Sequence, residues 1–295
     1  MEARRGPRRL WRAPAKVNLT LHIVGRRDDG WHELESVVAF AGCSDWLGFE
    51  PGAELGLTVD GPTAAAAGET DDNLILRAAR ALSERVPGLG VGKFHLRKNL
   101  PVAAGLGGGS SDAAAALRAL ADANGLPADD ARLYSAAEAT GSDVPVCLVP
   151  QSRTMRGRGE ILGPLLQLPP LVAVLVNPRV AVATPAVFAR LGFAKGESSK
   201  LPIAPPPRAA SSRMAAMAAL ERGRNDMQAA ACALEPAVSR VLEALSACPG
   251  ASLVRMSGSG ATCFAIFEAR SAASQAAAAL ARQRPDWWVK ATVLR

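Results

Sequence analysis

Aromatic side chains are scarce in this chain: one tyrosine, five tryptophans and seven phenylalanines among 295 residues. Its core must therefore be mostly aliphatic, and hydrophobic residues, at 49% of the chain, suffice for one large domain or two ordinary ones. Cysteine is sparse and unpatterned. Cys43, Cys147, Cys232, Cys248 and Cys263 are scattered, odd in number and never spaced CxxC. That argues against a disulfide framework and a zinc site, and for a reducing, cytoplasmic compartment. The three histidines, His22, His32 and His95, also lack metal-ligand spacing. Long apolar runs are missing: nothing approaches the roughly 20 residues of a membrane span. No apolar stretch follows the arginines of "MEARRGPRRLWR", so no secretory signal is expected. Acidic residues are the minority, which leaves a net charge of +7. Much of that excess lies in residues 1–12, read as a basic N-terminal tail of the kind that frays.

The remaining pattern mixes strands and helices without strict β-α-β alternation, and no repeat has a fixed period. The expected fold class is α+β, with mixed or antiparallel sheets and packed helices. Strands are expected at Ala15–Gly25, towards Phe40, as two short strands over 45–61, at 93–100, 171–178, around 251–267 and at 287–294. Helices are expected from Asp71 or Asp72, over Asp112–Ala123 with Asn124-Gly125 as its stop, over 127–140, from Thr184, over 212–222, over 225–247 through Pro236, and over 272–284. "GSDVPVCLVP" reads as a loop and short strand. "TMRGRGEIL" reads as a turn between strands, and 196–212 as a long surface loop.

One stretch carries chemistry on its face, "PVAAGLGGGSSDAAAAL" from Pro101. Glycine lets a backbone take positive φ and approach a ligand closely. A glycine loop that opens a helix aims several N–H groups at one point, where the helix dipole adds positive charge. The result is an anion site suited to phosphates. Walker A chemistry is not expected, because no lysine follows the glycines. The Rossmann pattern also fits poorly, because Pro101 stands where a buried strand should lead in. Ser110 and Ser111 could cap the helix, bind a phosphate oxygen or hold a magnesium ion.

This stretch resembles the phosphate loop of the GHMP kinases, the family of galactokinase and the homoserine, mevalonate and phosphomevalonate kinases. "APAKVNLTLHIVGRRDDGWHEL" is similar to the family's N-terminal motif and "RMSGSGATCFAIF" to its C-terminal glycine motif. With "DDNLILRAA", "GSDVP" and "TPAVF" the matches run in family order through nearly the whole chain. Together they resemble the branch that phosphorylates the 2-hydroxyl of 4-diphosphocytidyl-2-C-methyl-D-erythritol in the non-mevalonate isoprenoid pathway. The rivals are a mevalonate- or homoserine-type kinase and a non-catalytic nucleotide- or RNA-binding module.

The resemblance implies a two-domain fold with its active site between the domains: 13–155 for ATP and 156–295 on the substrate side. ATP is the implied co-substrate, with Mg²⁺, and a cytidyl diphosphate the acceptor. No nucleic-acid or membrane partner is implied. Asp143 would be the general base and Lys16 the catalytic lysine. Read alone, Asp143 is a turn or cap residue and Lys16 an edge-strand lysine. The phosphates would be wrapped by Pro101, Val102, Ala103, Ala104, Gly105, Leu106, Gly107, Gly108, Gly109, Ser110 and Ser111. Asn73 and Lys98 would lie around the adenine. On the acceptor side stand Asn18, Trp31, His32, Asp143, Thr184 and Phe188. His32 would read cytosine, Trp31 would stack on it from a place where the family commonly has tyrosine, and Phe188 would oppose it. Trp31 and Phe188 read alone are core aromatics.

Overall fold

A computed structural model describes residues 9–66, 73–208 and 212–295. In chain order it opens with the long strands β1 (Leu10–Arg26) and β2 (His32–Gly52), then β3 (Gly56–Asp60), α1 (Leu74–Arg85) and β4 (Val91–Arg97). Three helices follow, α2 (Gly108–Ala123), α3 (Ala131–Thr140) and α4 (Val144–Leu148). Next come β5 (Arg153–Gly157), β6 (Ile161–Leu165), β7 (Leu171–Asn177), α5 (Thr184–Leu191), α6 (Arg213–Arg222), α7 (Gln228–Leu234) and α8 (Pro236–Ser246). The chain ends with β8 (Ala251–Met256), β9 (Cys263–Phe267), α9 (Arg270–Gln283) and β10 (Trp288–Leu294).

These elements fall into two units that no single cut separates. The first comprises Met1–Ala15, Ser44–Val102 and Gly108–Val149; the second comprises Lys16–Cys43, Ala103–Gly107 and Pro150–Arg295. The division at residue 155 is therefore corrected. Strands β1 and β2 have 17 and 21 residues, so each contributes to both units. Most of the proposed basic tail, residues 1–8, lies outside the described residues, while Leu10, Trp11 and Arg12 already belong to β1.

In the first unit β4 is central. It pairs antiparallel with the end of β2, Trp46 opposite Arg97, and parallel with β3, Gly56 opposite Lys93. Helix α2 packs on α1, α3, α4 and β4. Its alanines 113–116 are fully buried, as a helix surrounded by neighbours requires. It begins at Gly108, four residues before the expected start, so both serines lie inside its first turn. It stops at Asn124-Gly125 as read, with Gly125 at φ +65° and Leu126 N bonded to the Ala121 carbonyl. Asn73 caps α1, its side chain accepting from Ile75 N; Asp71 and Asp72 lie outside the described residues. "VPVCL" is helix α4, not a strand, because Pro145 in the first turn presets helical φ.

In the second unit β8, β9, β7 and β10 form an antiparallel sheet in that order. Strand β10 continues to β2 through Leu294 opposite Ala41, and β2 pairs with β5, which pairs with β6. The core gathers Leu21, Ile23, Val174, Val176, Phe267 and Leu280. The expected helix over 225–247 is two helices, because Pro236 cannot donate to the preceding turn and starts α8 instead. The strand expected towards Phe40 and the first of the two expected over 45–61 are one continuous strand, β2, and the second of the two is β3. The loop from 196 begins by pairing with β1, Arg26 N donating to the Glu197 carbonyl and Ser199 N to that of Val24.

A buried cation fastens this unit. Arg255 is 6% exposed, and its guanidinium donates to the carbonyls of Leu19, Leu220 and Gly223 at 2.6, 3.1 and 2.5 Å. Burial pulls its pKa down to about 10, so it stays charged at neutral pH. Two of the acceptors belong to the C-terminal end of α6, where the helix dipole favours a cation. Arg255→Ala strands three buried carbonyls, and urea unfolding should show a loss of about 3 kcal/mol. Arg255→Lys should recover only part of it, because an ammonium lacks the planar fork.

Candidate active site

The glycine loop is held by its carbonyls. In the second unit Thr262 N donates to the Ala104 carbonyl at 3.1 Å, Ser257 Oγ to that of Gly105 at 2.8 Å, and Lys16 N to that of Leu106 at 2.8 Å. In a trans peptide the C=O and the following N–H point in opposite directions. With these three carbonyls turned to protein donors, the N–H groups of Gly105, Leu106 and Gly107 face the other way. Ala103, Gly105 and Gly107 have φ of +50°, +71° and +57°. This alternation builds a concave row of N–H groups of the type that receives anions.

The β8–β9 turn leaves no room for a side chain at position 105. A Cβ on Gly105 would lie 2.2 Å from the Ser257 carbonyl oxygen and 2.9 Å from that of Gly260. The turn is itself anchored by Asn225, whose Nδ2 donates to the carbonyls of Met256 and Gly258, each at 2.8 Å. The sequence marked "RMSGSGATCFAIF" as a glycine motif but gave no sign of Ser257 and Asn225 as the fastenings of its turn. Ser257 Oγ also accepts from Asn18 N at 3.0 Å, and Asn18 Nδ2 donates to Ser36 Oγ at 2.8 Å. Lys16 is buried, with its stem against Gly107: a Cβ there would lie 3.2 Å from Lys16 Cε. Thr184, exposed at the start of α5, shares a 2.7 Å hydroxyl contact with Ser259 of the same turn.

In the first unit the start of α2 stands over a buried ion cluster. Lys98 Nζ lies 2.5 Å from Asp45 Oδ2 and 2.8 Å from Asp112 Oδ2. Asp45 Oδ1 also accepts from the backbone N–H of Asn99 and Leu100. A Cβ on Gly108 would lie 3.5 Å from Lys98 Nζ. The adenine role implied for Lys98 is thus corrected, since its ammonium is engaged by two carboxylates and it is only 4% exposed. Burial lowers its pKa, but Asp112 and Asp45 outweigh that, so the net shift is upward. Burial raises the Asp112 carboxyl, only partly offset by Lys98, to about 7. Its Oδ1 is buried without a hydrogen-bond partner. Ser111 is also engaged: its hydroxyl donates to the Pro14 carbonyl at 2.7 Å, which leaves Ser110, half-buried, as the serine open to a ligand. Asn73 spends its side-chain oxygen on the α1 cap. Asp143 precedes α4 without capping it through its side chain. It lies in the turn before α4, at the N-cap position, so the turn reading holds while the side chain makes no cap hydrogen bond.

The aromatic cluster lies in the second unit and differs from expectation. Phe188 stacks on His32, with centroids 4.4 Å apart and planes at 19°. At that spacing no base fits between these two rings. Trp31, expected to face Phe188 across a base, is exposed and carries the Arg158 guanidinium 5.0 Å over its ring. Burial, then Arg26, lowers the His32 pKa. The imidazole is therefore neutral at physiological pH, with a buried Nε2 that has no partner.

The GHMP kinase N-terminal domain matches residues 73–151 and the C-terminal domain residues 209–286. The 4-diphosphocytidyl-2-C-methyl-D-erythritol kinases of Xanthobacter autotrophicus and Methylobacterium radiotolerans are each 58% identical over 287 residues, 96% of this chain and 98% of theirs. This chain belongs to that family of GHMP kinases. A crystal structure of 4-(cytidine 5'-diphospho)-2C-methyl-D-erythritol kinase superposes with a TM-score of 0.76 at 35% identity, covering 97% of this chain and 99% of its own. Homoserine kinase from Cytophaga hutchinsonii, at 17% identity and a TM-score of 0.68, covers 99% of this chain and 96% of its own, and shares the GHMP fold.

Two outcomes test this geometry. Gly105→Ala forces a Cβ into the Ser257 carbonyl at a left-handed φ. It should lower both the thermal midpoint and kinase turnover, the latter by about 10²-fold or more, since catalysis rests on positioning. Asp112 holds its proton more tightly when folded, so its contribution to stability falls as pH rises from about 4 to about 7. The melting temperature of Asp112→Asn minus that of wild type should therefore increase across this range, whereas a constant difference would refute the raised carboxyl.

Proposed function

We propose that this chain transfers the γ-phosphoryl group of ATP to the 2-hydroxyl of 4-diphosphocytidyl-2-C-methyl-D-erythritol, giving ADP and the 2-phosphate. The observation that carries the reading is the loop 103–107, where the carbonyls of Ala104, Gly105 and Leu106 are taken by protein donors and the N–H groups of the same peptides point away from those donors. The chain passes from this loop directly into the N-terminus of α2, which favours negative charge. The acceptor follows from the family to which the chain belongs.

In phosphoryl transfer the protein positions the reactants and neutralises charge. Asp143 accepts the proton of the attacking hydroxyl. Lys16 stabilises charge on the transferring group, its stem fixed by Gly107. Asn18 orients the acceptor from the same face of β1 as Lys16, two residues away. Neutral His32 hydrogen-bonds the cytosine edge, while Trp31 and Phe188 supply stacking surface and Thr184 a hydroxyl at the start of α5.

Among the described residues no group of three or more His, Cys, Asp and Glu is placed to hold a metal. In this reading Mg²⁺ is brought by the nucleotide, since that ion keeps several waters and needs few protein ligands. Ser110 would contribute its hydroxyl, and the ion would neutralise phosphate charge. Among the described residues no helix is long and apolar enough to cross a membrane. The five cysteines, all among the described residues, form no disulfide, which suits a cytoplasmic setting; nucleic acid has no part in this reading.

A coupled ADP-release assay with the cytidyl substrate tests the proposal. Asp143→Asn and Lys16→Ala should each lower kcat by at least about 10²-fold, the scale of one acid–base or electrostatic group. Losses of only a few-fold would remove them from catalysis. Turnover of mevalonate or homoserine in place of the cytidyl alcohol would move the chain to another branch of the family.

A further inference from the structure

The β5–β6 turn, Gly157-Arg158-Gly159-Glu160, has no role in the function derived above, yet its geometry is specific. Gly157 and Gly159 have φ of +71° and +123°. A Cβ on Gly157 would stand 2.9 Å from Glu160 Oε1. The Glu160 carboxylate accepts from Arg158 N at 2.6 Å and lies 3.7 Å from the Arg158 guanidinium. Strand β5 pairs with the start of β2, Gly157 opposite Leu34, which sets the turn beside Trp31 and His32. There the Arg158 guanidinium carbon is 5.0 Å from the Trp31 ring centroid.

Trp31 is 56% exposed, and its backbone is fastened: Arg27 N donates to its carbonyl, and its own N–H donates to Asp29 Oδ1. Among the described residues, the cation seated on its ring is Arg158. An exposed indole must give up rotamer freedom when a ligand stacks on it. A cation seated on one face restricts the ring before the ligand arrives, and tryptophan is the aromatic that holds a cation best. We propose that Arg158 is a positioning residue for the nucleoside end of the acceptor: it covers one face of Trp31 and presents the other, already oriented, to the cytosine ring. This inference rests on the cytidyl reading and deepens it.

The experiment pairs binding with turnover. Calorimetric titration with cytidine 5'-diphosphate reads the nucleoside end without catalysis. Arg158→Met keeps the stem and removes the charge. It should weaken cytidine diphosphate binding and raise the KM of the cytidyl substrate by about 2- to 5-fold, the span of an exposed cation–π contact. The kcat and the KM for ATP should stay at the wild-type values, and Arg158→Lys should restore part of the loss. In a Trp31→Leu background Arg158→Met should have no further effect, because the arginine acts through the indole. Unchanged binding in Arg158→Met, an equal loss in the Trp31→Leu background, or a fall in kcat with a rise in ATP KM would each overturn the inference. Absence of cytidine diphosphate binding to the wild type would overturn it as well. Wild type that binds cytidine diphosphate but does not turn over the cytidyl substrate would instead refute the assigned reaction, and the titrations would still decide the Arg158–Trp31 pair.

Discussion

At Gly105 two backbones of the second unit approach more closely than any side chain allows, and the conformation of the glycine loop depends on that approach. The carbonyl of Gly105 is held by the Ser257 hydroxyl, and the Ser257 carbonyl occupies the space a Cβ would need. Removing the side chain at one position therefore turns three successive carbonyls inward. The N–H groups on the opposite edges of the same peptides are arranged before any ligand arrives. Preorganised donors of this kind cost no reorganisation at the moment of reaction. Asn225 and Asn18 extend the constraint, one by holding the turn and the other by binding Ser257 through its backbone.

Ionisable groups drawn wholly or partly out of water are handled in three different ways. Arg255 keeps its charge and meets only carbonyl dipoles. His32 is kept neutral, so its ring can stack on Phe188 without a buried charge. Lys98 sits between two carboxylates, a cluster that would carry a net negative charge beneath a helix start meant for phosphates. The raised Asp112 carboxyl relieves this conflict, because a proton on Asp112 brings the cluster to neutrality. Its unbonded Oδ1 is where that proton has no competing donor.

Local chemistry was legible in the sequence; long-range pairing was not. The glycines before α2, the Asn124-Gly125 stop and the buried strand β7 follow from backbone rules that act within a few residues. The second glycine turn was visible in "SGSGA", yet Ser257 looked like any turn serine, because its partner Gly105 is 152 residues away. Asp45 gave no signal at all; its meaning comes from Lys98 and the backbone after β4. Lys98 was misread for the same reason, since a lysine near a phosphate loop suggests a ligand contact until its carboxylates are seen. "VPVCL" looked like a strand through its β-branched residues, and Pro145 decided for a helix. The domain division failed because β1 and β2 run through both units.

The aromatic end shows what a closed stack implies for selectivity. His32 and Phe188 already satisfy each other at 4.4 Å, so a ligand that parts them must first forfeit that contact, worth about 0.5–1.5 kcal/mol beyond burial. An aliphatic alcohol offers no flat face and cannot regain it. A planar base with ring-edge donors and acceptors regains the stacking and supplies the partner that His32 Nε2 lacks. A group that only fills volume leaves that nitrogen buried and unpaired, at a cost of about 1–3 kcal/mol. On the proposed cytidyl reading, discrimination between a nucleoside diphosphate acceptor and a bare alcohol follows from a pair of rings that are better left together unless a base arrives.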